Sequence, residues 1–184
     1  MRAFVALEIP SEQVLEELVR FQHEVSESGA DLKIVERENL HFTVKFLGEI
    51  SEELAREADR RLAALSLQAV GITVRGVGAF PGGGRPRVVW VGVAPQEQVT
   101  LGGLAASAIG ALEGIGERDE RGFQPHVTLA RVRSERNNEA LVALIRRNSE
   151  REFGRARLAE LKLKSSVLTP RGPIYRDVGV YSLK

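Results

Sequence analysis

The chain has 184 residues, 43% of them hydrophobic and 28% charged, enough to bury one good core or two small coupled ones. Its 26 Lys and Arg stand against 25 Asp and Glu, a formal charge of +1, which excludes coating long nucleic acid by field strength alone and leaves a short anionic ligand on a local patch open. With no cysteine, a disulfide framework, a thiolate metal site and a thiol nucleophile are excluded, and a cytoplasmic, reducing location is expected.

Arg2 to Ile9 is rich in Phe, Val, Leu and Ile, too short for a helix and closed by Pro10, so it reads as a strand. Glu8 interrupts its apolar run, and no later stretch approaches the roughly 20 apolar residues that span a bilayer, so neither a signal peptide nor a membrane anchor is expected. Ser11 is placed to cap a helix whose stripe, Val14, Leu15, Leu18, Phe21, Gln22 and Val25, runs to about Ser28, with Gly29 after its end. Lys33 to Val35 and Leu40 to Leu47 form two more strands around the polar turn Glu36 to Asn39. Ser51 caps a second helix with a core face of Leu54, Ala55, Ala58, Leu62 and Leu65.

Val70, Ile72 and Val74 alternate as a half-buried strand, and Pro81 to Arg85 is a flexible Gly-rich loop before the strand Arg87 to Val93. A helix over Glu97 to Leu112, a strand over His126 to Val132 and a helix over Asn138 to Arg147 follow. Arg157 to Leu168 and Ile174 to Leu183 make a hairpin-like pair around Pro170 to Pro173.

Slid against itself, the chain repeats. At an offset of 85 residues Ala3–Pro10 falls on Val88–Pro95, Glu12, Gln13 and Val14 fall on Glu97, Gln98 and Val99, and His41-Phe42-Thr43-Val44 falls on His126-Val127-Thr128-Leu129. Later the register slips, with Phe80-Pro81 matching Leu168 to Pro170 at a slightly larger spacing. The expectation is one α+β domain over 1–184, made of two pseudo-repeats (about 1–86 and 87–184), each running strand, helix, strand, strand, helix, strand. Antiparallel sheets would line a central cleft with helices outside, the two lobes related by a pseudo-two-fold axis.

Residues i and i+2 of a strand share a face, so His41 with Thr43, and His126 with Thr128, each present an imidazole and a hydroxyl, while Phe42, Val44, Val127 and Leu129 anchor the other side. If the duplication brings the two faces together, the set suits phosphodiester hydrolysis: one imidazole as base, one as acid, hydroxyls for the non-bridging oxygens. Neither segment offers a second His, Cys or carboxylate at i+2 or i+4, so no metal and no cofactor is expected. His23 sits alone on an amphipathic helix and reads as a surface residue. The scattered basics Arg133, Lys162, Lys164 and Arg171 read as solvated faces, with tracking of an RNA strand as the alternative for some of them.

The residues resemble the two-histidine (2H) phosphoesterases, and within them the RNA 2′,3′-cyclic phosphodiesterases, also known as 2′-5′ RNA ligases. The resemblance runs from Arg2-Ala3-Phe4 through Val35 to Glu49 and Pro125-His126-Val127-Thr128-Leu129-Ala130-Arg131-Val132 to Leu168 through Tyr175, nearly the whole chain. It implies metal-free hydrolysis of an RNA-terminal 2′,3′-cyclic phosphate to a 2′-phosphomonoester, with His41 as general acid and His126 as general base, and the reverse ligation when an RNA 5′-hydroxyl replaces water. It also implies a phosphate or nucleotide contact at Arg131, although strict alternation puts 131 on the face opposite 126 and 128, so a bulge or the strand's end must re-aim it. Tyr175, Phe123 and Arg85 are further substrate-binding candidates, aromatics and a cation near the expected rim. The partner is thus an RNA end or nucleotide bearing a 2′,3′-cyclic phosphate, handled by a monomer. Alternatives are the same chemistry on a cyclic phosphate of ADP-ribose or on a 2′-5′ oligonucleotide, and a non-catalytic module that binds RNA ends.

Overall fold

The computed structural model describes residues 1–118 and 121–184. Its first half runs β1 (Arg2–Glu8), α1 (Glu12–Glu27), β2 (Leu32–Ile34), β3 (His41–Glu49), α2 (Glu52–Ala63) and β4 (Val70–Phe80). The second runs β5 (Val88–Val93), α3 (Pro95–Ala111), β6 (Val127–Val132), α4 (Asn138–Arg147), β7 (Glu152–Leu158), β8 (Glu160–Thr169) and β9 (Gly172–Ser182). The Ser11 and Ser51 hydroxyls accept from the amides of Val14 and Leu54, satisfying a free donor at the start of α1 and of α2. Ser28 caps the end of α1, and Gly29 follows at φ +75°, a left-handed conformation that glycine adopts without steric penalty.

Several boundaries differ from the sequence expectation for identifiable reasons. α3 begins at Pro95, two residues early, because a proline in the first turn lacks only an N–H that would have no helical partner. β4 continues past Val74 to Phe80: Gly76, at φ +84°, is absorbed in a bulge against β5 and the alternation resumes beyond it. The segment read as one strand from Arg157 is two, since β7 ends at Leu158 and β8 begins at Glu160, and they belong to distant parts of the sheet. Leu54 is largely exposed, so the buried stripe of α2 is Ala55, Ala58 and Leu62. Among the described residues no strand between α3 and β6 matches β2.

The strands form one sheet in the order β7-β4-β5-β6-β3-β1-β8-β9, with β2 also paired to β6. That order is a palindrome: β6 answers β3, β5 answers β1, β4 answers β8 and β7 answers β9. The centre is the pair Phe42↔Val127, two residues that occupy the same place in the repeat. β4 thus lies in the lobe of β5 and β6, while β8 and β9 lie in the lobe of β1 and β3, so the strands that close each lobe are exchanged between halves of the chain.

Pairing also corrects the register of the repeat. Ala6 faces Thr43 and Trp90 faces Thr128, so β1 and β5 correspond at an offset of 84, not 85. The physical reason is side: Val5 is fully buried in the core whereas Trp90 packs its ring near His126, and one residue of shift exchanges the faces. By the same pairing Phe80 answers Lys164, so the late slip toward Leu168 is not the structural match.

The helices cover one face of the sheet. α1 lies against β7, β2 and β6, α3 against β3 and β4, α4 against β4, and α2 against β9 and α3. Phe42, Leu47, Val127 and Leu129 are fully buried with Leu18, Phe21, Leu101 and Leu141 from the helices. Gln22, read as part of the apolar stripe of α1, is buried too, and its Nε2 donates to the carbonyls of Val35 (2.8 Å) and Leu129 (2.9 Å), tying the helix to the residue after β2 and to β6, the strand that follows the second histidine. Among the described residues no helix is long and apolar enough to cross a membrane.

Candidate active site

Both histidines are held in the same way. His41 Nδ1 lies 2.6 Å from the carbonyl of Asn39, and His126 Nδ1 lies 2.8 Å from the carbonyl of Gln124. A carbonyl only accepts, so Nδ1 carries the proton in each neutral ring and Nε2 is left as the working nitrogen. At His41 that nitrogen accepts from the Thr43 hydroxyl at 3.0 Å. Thr128 stands opposite Trp90, two residues from His126 on the same side of β6.

The rings are packed by aromatics of which sequence reasoning singled out only Tyr175; Tyr175, Phe80 and Trp90 meet them edge-on and Phe4 lies tilted. His41 sits 5.2 Å from Phe4 and 5.6 Å from Tyr175, ring centre to ring centre, and His126 sits 5.0 Å from Phe80 and 6.3 Å from Trp90. Strand alternation carried the signal for Phe4 and Trp90, since Val5 and Leu7, like Val89 and Val91, are the fully buried members of their strands. Gly78, paired with Trp90, makes room for the indole: a Cβ there would lie 2.3 Å from the ring.

Burial pushes His41 down to about 4, against the pull of the Asn39 carbonyl; the charges of Lys164 and His126 push the same way and that of Glu8 opposes them. Burial also lowers His126, partly offset by the Gln124 hydrogen bond and reinforced by Arg131. Each imidazole is therefore neutral in the free protein at pH 7, and the charge of His126 reaches His41, which puts the second ring within electrostatic range of the first.

Arg131 reaches that environment through a bulge. Val89 faces Ala130 and Trp90 faces Thr128, so Leu129 is an extra residue in β6 and Arg131 rejoins the side of His126 and Thr128. Its charge acts on both His126 and Tyr175, one from each half of the cleft. β3 carries the same bulge at Val44, which brings Phe46, 53% exposed, toward Phe4 in the equivalent place. Tyr175 is raised by burial and bridges Phe4 and His41. Phe123 is partly buried and lines a cavity of about 590 Å³ beside His126. Arg85, by contrast, pairs with Glu135 at 3.5 Å on the exposed β4–β5 turn and does not line that cavity. His23 is exposed on α1.

Two of the basics read as solvated faces are not. Lys164 is only 7% exposed, and Lys162 and Lys164 together clasp Glu8 and Asp177. Lys162 Nζ donates to Glu8 at 2.6 Å and to Asp177 at 3.2 Å, and Lys164 Nζ donates to Glu8 and, at 2.6 Å, to Asp177. Burial alone would raise both carboxyls, but the lysines hold each below its ordinary value. Glu8 faces His41 across β1 and β3, so the cluster adjoins that histidine. Among the described residues no three His, Asp or Glu side chains converge as metal ligands.

A duplicated sheet that offers one His-x-Thr strand from each half, side by side at the axis, defines a phosphoesterase of the two-histidine class. The chain belongs to the LigT like phosphoesterase family, which matches residues 8–90 and again 91–175. It is 39% identical over 181 residues to the RNA 2′,3′-cyclic phosphodiesterase of Archaeoglobus fulgidus, covering 98% of this chain and 99% of that one. It is 41% identical over 162 residues to the protein of the same name from Aeropyrum pernix, covering 88% and 92%. Among solved structures, TT0787 of Thermus thermophilus superposes with a TM-score of 0.75 at 30% identity over 100% of this chain and 98% of that one. Escherichia coli LigT in apo form gives a TM-score of 0.78 at 24% identity over 100% and 97%, a likeness of fold.

Proposed function

We propose that the protein hydrolyses RNA-terminal 2′,3′-cyclic phosphates to 2′-phosphomonoesters, as the names of its full-length relatives indicate for them. The observation that carries the reading is the matched pair of imidazoles, each fixed through Nδ1 to the carbonyl two residues back so that Nε2 is the nitrogen turned to proton transfer, at His41 with the Thr43 hydroxyl upon it. In this reading His126 Nε2 takes a proton from water as the water oxygen bonds to phosphorus, and His41 Nε2 gives a proton to the departing 3′ oxygen. When His41 is protonated its Nε2 becomes a donor, so the Thr43 hydroxyl no longer donates to it and is released to serve one non-bridging oxygen, with Thr128 and Arg131 at the other. Tyr175 steadies His41, and Phe123 lies on the His126 side. Arg85 pairs with Glu135 on the exposed β4–β5 turn, and no step is assigned to it.

The phosphate supplies what the free protein lacks. His41 enters neutral, and an anion at the centre of the cleft favours the protonated ring that an acid must be. With an RNA 5′-hydroxyl in place of water, the same ring-opening step joins that hydroxyl to the phosphorus. The protein is taken to work as a cytoplasmic monomer, consistent with a chain that has no cysteine. The test is turnover of a nucleoside 2′,3′-cyclic phosphate in the presence of a chelator, with the product read by ³¹P NMR. A 2′-phosphate is expected; a 3′-phosphate, or loss of turnover on chelation, overturns the reading.

A further inference from the structure

The two halves of the cleft are built alike and filled differently. Strand pairing makes Glu8, Lys162 and Lys164 on the His41 side the counterparts of Gly92, Gly78 and Phe80 on the His126 side. On the first side those positions hold three of the four charges of the cluster, which Asp177 completes. On the second, two of the three have no side chain, and the space is taken by the indole of Trp90 and by the cavity of about 590 Å³. Phe80, Trp90, Phe123 and the His126 ring wall that cavity, and Gln124 and Gln98 line it as well. Its size falls in the range of small-molecule sites, about 300 to 1,000 Å³, whereas a water occupies about 30 Å³ in the liquid.

The cavity lies beside the histidine that, in the reading above, activates the nucleophile. A reaction that used only water would leave aromatic walls and this much space with no role on that side. The Trp90 Nε1 is buried and has no hydrogen-bond acceptor among the described residues, an unmet donor on a side chain that lines the cavity. Arg75 and Glu150 also line it, but they pair with each other at 2.6 Å, so neither charge is left unopposed to hold a second phosphate.

We propose that this cavity is a nucleoside subsite on the nucleophile side of the phosphorus, its base lying against Phe80, Trp90 and Phe123 and its free 5′-hydroxyl replacing water at His126. The inference rests on the acid and base roles given above. The O5′–P bond forms as the P–O3′ bond breaks; the proton of the 5′-hydroxyl passes to His126 Nε2 and that of His41 Nε2 to O3′. The product is a 2′–5′ phosphodiester, and no water is consumed. An uncharged 5′-hydroxyl end is favoured over a 5′-phosphate, because among the described residues the only formal charges lining the cavity, apart from His126, neutralise each other.

Trp90 is the sole tryptophan of the chain, which makes the subsite observable without turnover. Titration with adenosine is expected to give a saturable change in its emission, adenosine 5′-monophosphate a weaker one and methyl riboside none. Phe123→Ala should weaken adenosine binding by about ten-fold, the scale of one lost base–aromatic stack. With adenosine 2′,3′-cyclic phosphate as donor, added adenosine should divert product to the 2′–5′ dinucleoside monophosphate, and Phe123→Ala should lower the ratio of transfer to hydrolysis. Hydrolysis without an emission change and without transfer overturns the subsite and leaves the hydrolytic reading intact. Competitive inhibition by adenosine with no transfer product also overturns it, because the cavity would then hold the donor's own nucleoside. A saturable emission change in a protein that hydrolyses no cyclic phosphate upholds the nucleoside site and sinks the hydrolytic reading instead.

Discussion

Removing one imidazole at a time separates the two proton roles from packing. His41→Ala deletes a ring that makes two hydrogen bonds, to the Asn39 carbonyl and the Thr43 hydroxyl, and that packs against Phe4 and Tyr175. At about 0.5 to 1.5 kcal/mol per net hydrogen bond, plus lost packing, the fold should weaken by about 2 to 3 kcal/mol. His126→Ala deletes one such bond from a more open ring and should cost about 1 kcal/mol. Each acid or base role is worth about 10²- to 10⁴-fold, or about 3 to 5 kcal/mol of barrier, so activity must fall by far more than stability explains. The discriminating assay compares a nucleoside 2′,3′-cyclic phosphate, whose alkoxide needs a proton to leave, with bis(4-nitrophenyl) phosphate, whose phenolate does not. His41→Ala should lose about 10²- to 10⁴-fold on the first and under about ten-fold on the second, while His126→Ala loses on both. Equal losses for His41→Ala on the two substrates would refute its assignment as acid, and the mirror-image pattern would exchange the roles.

The lowered values of both imidazoles place the two limbs of the kcat/KM profile below the ordinary histidine value of about 6.5, and the charge of bound phosphate should move the kcat profile to higher pH; a kcat/KM optimum on the alkaline side would contradict this. Lys164 disfavours the charged form of His41 and Glu8 favours it, so Lys164→Met should shift the His41 limb of that profile up in pH and Glu8→Gln should shift it down, and shifts of the same sign in the two variants would show that the cluster acts only through packing. Gln22→Leu deprives the Val35 carbonyl of its side-chain donor, while the Leu129 carbonyl keeps the Val35 amide at 2.9 Å; a loss of about 1 to 3 kcal/mol in urea unfolding is expected, and an unchanged midpoint would mean that water replaces the amide.

Local pattern alone placed both His-x-Thr segments on strands and both threonines beside their histidines, because a period of two residues is a property of extended backbone and needs no knowledge of neighbours. It likewise carried the capping serines of α1 and α2, the limits of α4 and the duplicated plan. What alternation could not contain was any interruption of itself: the bulges at Val44 and Leu129 appear only when a partner strand sets the count, and they decide that Arg131 and Phe46 face the cleft. The exchange of β4 and β8 between lobes, and with it the contrast between a charged half at Lys162 and Lys164 and an open aromatic half at Trp90, is likewise a matter of which strands lie side by side. Lysines read singly are solvated by default; these two are buried because Glu8 and Asp177, 156 and 13 residues away along the chain from Lys164, meet them across β1, β8 and β9.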